Sequence, residues 1–258
     1  MKNEKKSHIT GFIEEIKIVR EESKDKFFSW FNAPGSSVDT SFVRGSWDFS
    51  IHIAGLCAKV IKNPENLTAL EIGHGGGRIL AAACRHFKKV IRVDVHNEND
   101  LVDSQLKTMG INNFELYKTD GKEIPVESCS IDFVYSFIVL QHVEKIDIYK
   151  KYISEVSRIL KPSGAALLYF GRYSILSLNK KNKILRFLDI LIEFLFKRGY
   201  KEFEAPVNHT NLRVSVNYAK KLAILNGLKV AGKFVSHKSV PDGVMKFGGQ
   251  SGLLLVKK

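Results

Sequence analysis

Cysteine is scarce in this 258-residue sequence: Cys57, Cys84 and Cys129 are the only three, with no CxxC pair. That spacing argues against a disulfide framework or a cysteine-built metal site. It reads instead as small buried side chains in a reducing compartment. Long apolar runs are missing too, since nothing approaches the roughly eighteen uninterrupted apolar residues of a membrane span. The basic start, Met1 to Lys6, leads into a polar, acid-bearing stretch rather than an apolar signal core. A cytoplasmic protein is therefore expected. Acid is in short supply: 27 Asp and Glu face 40 Lys and Arg, for a formal charge of +13. Such a charge favours encounter with nucleic acid, anionic lipid or acidic substrates. A lysine-biased, solvated surface accounts for it equally well, so charge alone decides nothing. Repeats and low-complexity segments are absent, and 44% hydrophobic residues supply the core of one large domain.

The order of elements is more informative. Ile9, Phe12, Ile13, Ile16 and Val19 recur at helical spacing and predict an amphipathic helix within residues 1–26. Asn32 to Ser37 is turn chemistry, Val38 to Asp48 is expected to be a loop, and Phe49 to Lys62 a helix that stops before Pro64. From Leu67 onward short apolar runs alternate with amphipathic stretches. Strands are expected at 69–72, 90–95, 114–118, 131–137 and 165–170, with helices at 78–87, 100–109 and 146–160. Alternation of this kind implies right-handed βαβ crossovers. A helix at 215–225 and two strands at 228–235 and 253–257 close the chain. The expected fold is α/β: a Rossmann-like, mainly parallel seven-stranded sheet with helices on both faces and a C-terminal antiparallel hairpin. Residues 1–66 form an N-terminal helical and loop extension contributing to the substrate pocket. Residues 67–258 form the main domain, with a helical lid inserted at about 172–213.

Between the first strand and its helix runs Leu70-Glu71-Ile72-Gly73-His74-Gly75-Gly76-Gly77-Arg78. Glycines let a backbone turn sharply and approach a ligand closely. About twenty residues on, Asp94 ends the next strand, where a carboxylate can accept two ribose hydroxyl hydrogen bonds. The dinucleotide fingerprint is not met, because its third glycine would fall at Arg78. Glu71 would sit poorly beside a pyrophosphate and suits a ligand carrying positive charge, such as a sulfonium and an amino group.

These residues resemble the class I S-adenosylmethionine-dependent methyltransferases, in particular the group that includes ubiquinone-biosynthesis and many small-molecule enzymes. Glu71-x-Gly73-x-Gly75-x-Gly77 matches the group's first motif, and Val90-Ile91-Arg92-Val93-Asp94 the second strand with its ribose-binding acid. Thr119-Asp120-Gly121 matches the stretch where the family's aspartate meets the adenine amino group. Ser130 to Ser136 with Val139 to Val143, and Ser157 to Ala165, match the later motifs in order. The resemblance spans residues 67–171 and implies S-adenosylmethionine held by Glu71, Gly73, His74, Gly75, Gly77, Asp94, Asp120, Gly121 and Ser136. Single residues have plainer readings: Asp94 as a helix cap, Asp120 as a turn former, Arg78 as a local packing group.

Methyl transfer asks the protein mainly for alignment and a dry site, and for a base only when the acceptor is an alcohol. His142, just after the fourth strand, is the candidate base; capping or packing of the next helix is the alternative. The family's amino-methylating motif, Asn/Asp-Pro-Pro-aromatic, is replaced here by Tyr135-Ser136-Phe137-Ile138. The cysteine for pyrimidine-carbon methylation and the acids of metal-dependent members are missing from 136–143, so no metal is expected. The remaining acceptors are oxygen or nitrogen atoms of a small molecule, lipid or glycan. An RNA methyltransferase, prompted by the charge, and a non-catalytic binding protein of the same fold are the alternatives. Trp47 and Asp48 are candidate walls of the acceptor pocket, against core packing for the tryptophan. Residues 180–198, KKNKILRFLDILIEFLFKR, read as a helix with one narrow polar stripe. So wide an apolar surface needs cover: a lid over the acceptor pocket, a homodimer contact, or a peripheral membrane contact.

Overall fold

In the computed structural model, residues 8–31, 37–173, 184, 185, 187, 188, 191, 199–236 and 249–258 are described. The apolar runs become β1 (Thr68–Ile72), β2 (Lys89–Asp94), β3 (Phe114–Lys118), β4 (Ile131–Ser136) and β5 (Leu160–Arg172). They pair in parallel in the order β3-β2-β1-β4-β5. Strand order reverses between β1 and β4, where a parallel sheet opens a crevice at its strand C-termini. A short antiparallel pair, β6 (Tyr200–Glu202) and β7 (Leu212–Val214), joins through β7 to Gly171 and Arg172. The hairpin β8 (Leu228–Val235) and β9 (Gln250–Lys257) lays β9 antiparallel against β5. The seven expected strands are present, and β6 with β7 is an addition that three-residue strands without alternation could not announce.

Helices cover both faces. On one side α5 (Arg78–Ala83) and α6 (Asn99–Thr108) share a core with the N-terminal elements, centred on Phe28, Leu80, Val102, Leu106 and Phe133. On the other, α7 (Ile146–Ile159) and α8 (Val216–Leu225) bury Tyr149, Tyr152, Val156 and Ala219. The N-terminal arm is α1 (His8–Glu22) and α2 (Lys24–Trp30), the latter capped by Ser23, whose hydroxyl accepts from Lys26 N at 3.1 Å.

Residues 38–48 correct the sequence expectation: they lie in α3 (Val38–Phe49), not in a loop. Its continuation is a π-turn, Ser50–Ala54, and α4 (Gly55–Cys57). Ser37 caps α3, accepting from Thr40 N at 3.2 Å, and Phe42 and Phe49 are buried. Its Ser, Thr, Gly and Asp content has low helix propensity, so tertiary packing stabilises it. A Cβ on Gly45 would lie 2.0 Å from the Arg78 carbonyl oxygen, so α3 meets the start of α5 backbone to backbone.

Of the stretch 180–198, Ile184, Leu185, Phe187, Leu188 and Leu191 are helical, with Phe187 exposed by 64%. The rest of that expected helix lies outside the described residues. Among the described residues no helix is long and apolar enough to cross a membrane.

Candidate active site

The crevice at the β1/β4 switch is a cavity of about 1020 Å³. Its floor is the glycine loop. Gly73, Gly75 and Gly77 have φ of 75°, 51° and 81°, the left-handed region that glycine enters without a Cβ penalty. A Cβ on Gly73 would meet Val139 at 2.4 Å, and one on Gly75 would meet the Phe31 ring at 2.4 Å. The loop is thus sandwiched between the segment after β4 and the N-terminal arm.

Asp94 and Glu71, two of the acids that line the cavity, differ in character. Asp94 Oδ2 accepts from Gly75 N at 2.8 Å, and Oδ1 from Val95 N at 2.6 Å. Burial opposes its ionisation, but His96, His74 and these two amides outweigh it and hold the carboxyl at about 2. It is a carboxylate at neutral pH. His74 is held well below the ordinary histidine range, by burial first and by Arg92 next. Glu71 is pushed up to about 7, by burial first, with Arg92 and Arg78 pulling it back. Its carboxylate accepts from Tyr135 Oη at 3.3 Å. Arg92, fully buried, lies beneath the loop, 3.1 Å from where a Gly77 Cβ would stand.

The remaining walls are largely apolar: Phe12, Val19, Trp30 and Phe31 from the arm, and Phe137, Ile138 and Val139 after β4. Phe12 meets Trp30 edge to face at 5.6 Å and His142 at 5.8 Å. Ile138 has φ of 62°. A β-branched residue there is strained, and such strain persists only where the surroundings over-determine it. Four residues on, His142 has a fixed tautomer. Its Nδ1 lies 2.7 Å from the His209 carbonyl oxygen, which can only accept, so Nδ1 carries the proton and Nε2 the lone pair. Gln141 Nε2 donates to that lone pair at 3.2 Å, and Gln250 Nε2 donates to Gln141 Oε1 at 3.2 Å.

Of the residues singled out from sequence, Glu71, Gly73, His74, Gly75, Asp94, Gly121 and His142 line the cavity. Gly77 and Ser136 lie behind it: Gly77 caps α5, and the buried Ser136 hydroxyl donates to Ile72 O at 3.3 Å. Asp120 is turned into its own bend, its Oδ1 accepting from Lys122 N and Glu123 N, both at 2.8 Å, while Thr119 and Gly121 face the cavity. Trp47 and Asp48 are not in the cavity wall, which corrects their expected position. Neighbours on a helix point about 100° apart. Trp47 is therefore 44% exposed while Asp48 is buried against Arg78 at 2.5 Å. Sequence reasoning missed His96, Phe12, Phe31 and Gln141. His96, two residues beyond Asp94, and Gln141, beside His142, could have been found from their positions after strand ends; Phe12 and Phe31 come from an arm whose docking no local pattern reveals. His74, Asp94 and His96 bring ligand-capable atoms within 4.8 Å of one another. Their bonds to Gly75 already fix where the imidazole protons lie.

Comparison with known proteins agrees with this geometry. Residues 70–168 match the family model described as a methyltransferase domain. The chain is 26% identical over 114 residues to a sterol 4-C-methyltransferase of Caenorhabditis elegans, covering 43% of this chain and 33% of that protein. It is 27% identical over 135 residues to the ubiquinone biosynthesis O-methyltransferase of Pelagibacter ubique, covering 52% of this chain and 51% of that protein. The chain thus spans a third to a half of the length of these relatives. Its fold is that of an S-adenosylmethionine-dependent methyltransferase from Clostridium acetobutylicum, with a TM-score of 0.57, 16% identity and 82% and 92% of the two chains covered. It is also that of a methyltransferase from Methanosarcina mazei, with a TM-score of 0.56, 19% identity and 80% and 98% covered.

Proposed function

We propose that the chain, whose residues 70–168 match a methyltransferase-domain model, is a class I S-adenosylmethionine-dependent methyltransferase that methylates a hydroxyl oxygen on an apolar or aromatic small molecule or lipid. One observation carries this reading: a single cavity joins Glu71, Gly73, Gly75 and Asp94 to an aromatic wall and to His142. At about 1020 Å³ it reaches the upper end of ordinary ligand pockets, roughly 300–1,000 Å³, and has room for a cofactor and an acceptor together.

The residues present fit the cofactor. Asp94 is ionised and keeps lone pairs for ribose hydroxyls, and Glu71 supplies a second acid suited to the cofactor's positively charged groups. His74 is neutral and adds no repelling charge. When bound, S-adenosylmethionine supplies an activated methyl carbon for in-line displacement. The protein's part is alignment and exclusion of water. Phe12, Trp30, Phe31 and Phe137 cover the acceptor and keep it dry. His142 Nε2 would take the proton of the acceptor hydroxyl, and the His209 carbonyl would stabilise the resulting imidazolium through Nδ1–H. The acceptor hydroxyl displaces the Gln141 amide from that lone pair.

An RNA acceptor finds less support. Lys26 and Arg78 are the basic residues among the described cavity walls, beside Glu22 and Asp25, and Arg78 is paired with Asp48. Phosphodiester binding needs a basic track rather than this mixed rim. The test is transfer of labelled methyl from S-adenosylmethionine to fractionated extract of the source cells. Label is expected in the organic-soluble fraction and lost with His142→Ala; label confined to RNA overturns the acceptor assignment.

A further inference from the structure

Three side chains converge on the Gly75 peptide. Gly75 N–H donates to Asp94 Oδ2 at 2.8 Å, while the Gly75 carbonyl lies 2.7 Å from His74 Nδ1 and 3.2 Å from His96 Nε2. A carbonyl oxygen only accepts, so both ring nitrogens carry protons. His96 is constrained a second time: Glu98 N–H donates to its Nδ1 at 3.1 Å, which requires a lone pair there. The neutral Nε2–H tautomer satisfies both bonds and the imidazolium does not. His74 and His96 are 4% and 1% exposed, and their rings meet edge to face at 4.6 Å. Phe27 and Phe31 pack on the His96 ring, each with centroids 6.0 Å away, and Phe31 also covers Gly75.

We propose that His74 and His96 form a neutral two-proton clamp on the Gly75 carbonyl, which sets the height of the glycine loop against Asp94 and so shapes the ribose end of the cofactor site. His96 is a positioning residue in this arrangement, acting through Gly75 and Asp94. The inference rests on the cofactor reading above. It also links the N-terminal arm to cofactor affinity, because α2 and Phe31 hold the ring that holds the loop.

The same three side chains resemble a metal-binding group. Proton placement opposes that use. A metal on His96 Nε2 would have to replace the proton while Nδ1 still accepts from Glu98 N–H, leaving an imidazolate. Asp94 Oδ2 also stands 4.0 and 3.8 Å from His74 Nδ1 and His96 Nε2. Donors seated about 2.0–2.2 Å from one zinc ion would have to draw closer.

Calorimetric titration of S-adenosylhomocysteine into the full chain tests the clamp, with wild type, His96→Ala and His96→Gln compared. Glutamine can place an N–H where Nε2–H stands. Removing the donor leaves the loop carbonyl short of a buried partner, so His96→Ala is expected to weaken binding roughly tenfold. His96→Gln is expected to restore most of the loss, a rescue that a purely packing role would not give. Equal affinity of His96→Ala and wild type overturns the proposal, as does failure of a folded His96→Gln to rescue. Nitrogen-15 spectra of the wild-type imidazoles supply a readout independent of folding and of the cofactor. Nε2–H on His96 with Nδ1–H on His74 is expected, and the opposite tautomer on either ring contradicts the clamp. Zinc that binds stoichiometrically and excludes S-adenosylhomocysteine would assign these residues to a metal instead. Absence of wild-type binding would refute the cofactor reading, while the tautomers would still judge the clamp.

Discussion

Replacing Asp48 with alanine probes the joint between the N-terminal elements and the cofactor loop. Asp48 is 3% exposed and lies between Arg44 at 3.5 Å and Arg78 at 2.5 Å, themselves 2% and 9% exposed. Arg44 is already drawn down to about 9, by burial first and by repulsion from Arg78 second, with Asp48 pulling it up. Without Asp48 the two buried guanidinium groups lose the carboxylate that pairs with both. Breaking a buried pair from one side costs about 3–5 kcal/mol. At about 2–4 °C per kcal/mol for a chain of this size, the melting temperature should fall by roughly 6–20 °C. Urea denaturation and calorimetry of the full chain measure both quantities. Arg78→Met removes one of the two guanidinium charges, so the Asp48→Ala/Arg78→Met double variant should lose less than the sum of the singles. A coupling of about 0.5–3 kcal/mol is expected for groups in one network. A loss below about 1 kcal/mol for Asp48→Ala, or additive single effects, would refute the account of this joint.

Three further outcomes follow from the site. Glu71 has its folded pKa raised from 4.5 to about 7, so the unfolded chain loses that proton first. Its contribution is most favourable below pH 4.5 and declines as pH rises to about 7. The stability of wild type relative to Glu71→Gln should therefore fall by about 3 kcal/mol across that window, and a flat difference curve would show that Glu71 is not buried as described. His142→Ala should lower kcat roughly 10²- to 10⁴-fold with affinity for S-adenosylhomocysteine retained; a near-normal rate would remove it from the chemistry. Gly45→Ala should destabilise the chain by roughly 1–3 kcal/mol in urea titration, because its Cβ would strike the Arg78 backbone carbonyl. An unchanged midpoint would mean that α3 and α5 are not in backbone contact.

The sheet was legible because its central strands β1 and β4 are buried on both faces and read as largely apolar runs, and because Gly73 to Gly77 and Asp94 sit where strand ends must present them. What local pattern could not show was the partner of each side chain. Asp48 reads as a polar residue on a loop, yet helix α3 turns it onto Arg78, thirty residues away. Asp120 sits at the expected place, but its carboxylate is engaged by the Lys122 and Glu123 amides of its own turn. His96 carries no motif, and its role appears only when the Gly75 carbonyl and the Glu98 amide are placed on either side of its ring. Phe12 and Phe31 belong to an arm whose apolar residues could have covered any face. The helix expected over 180–198 remains a proposed lid. The five of its residues that are described are absent from the cavity wall.

The most direct test of the central claim is calorimetric titration of S-adenosylhomocysteine into the wild-type chain and into Asp94→Ala. The account predicts saturable binding at one site in the wild type. It also predicts a loss of about 1.5–3 kcal/mol in the variant, the range for hydrogen bonds to a charged group. No saturable binding in the wild type, or the same affinity in both proteins, would contradict it.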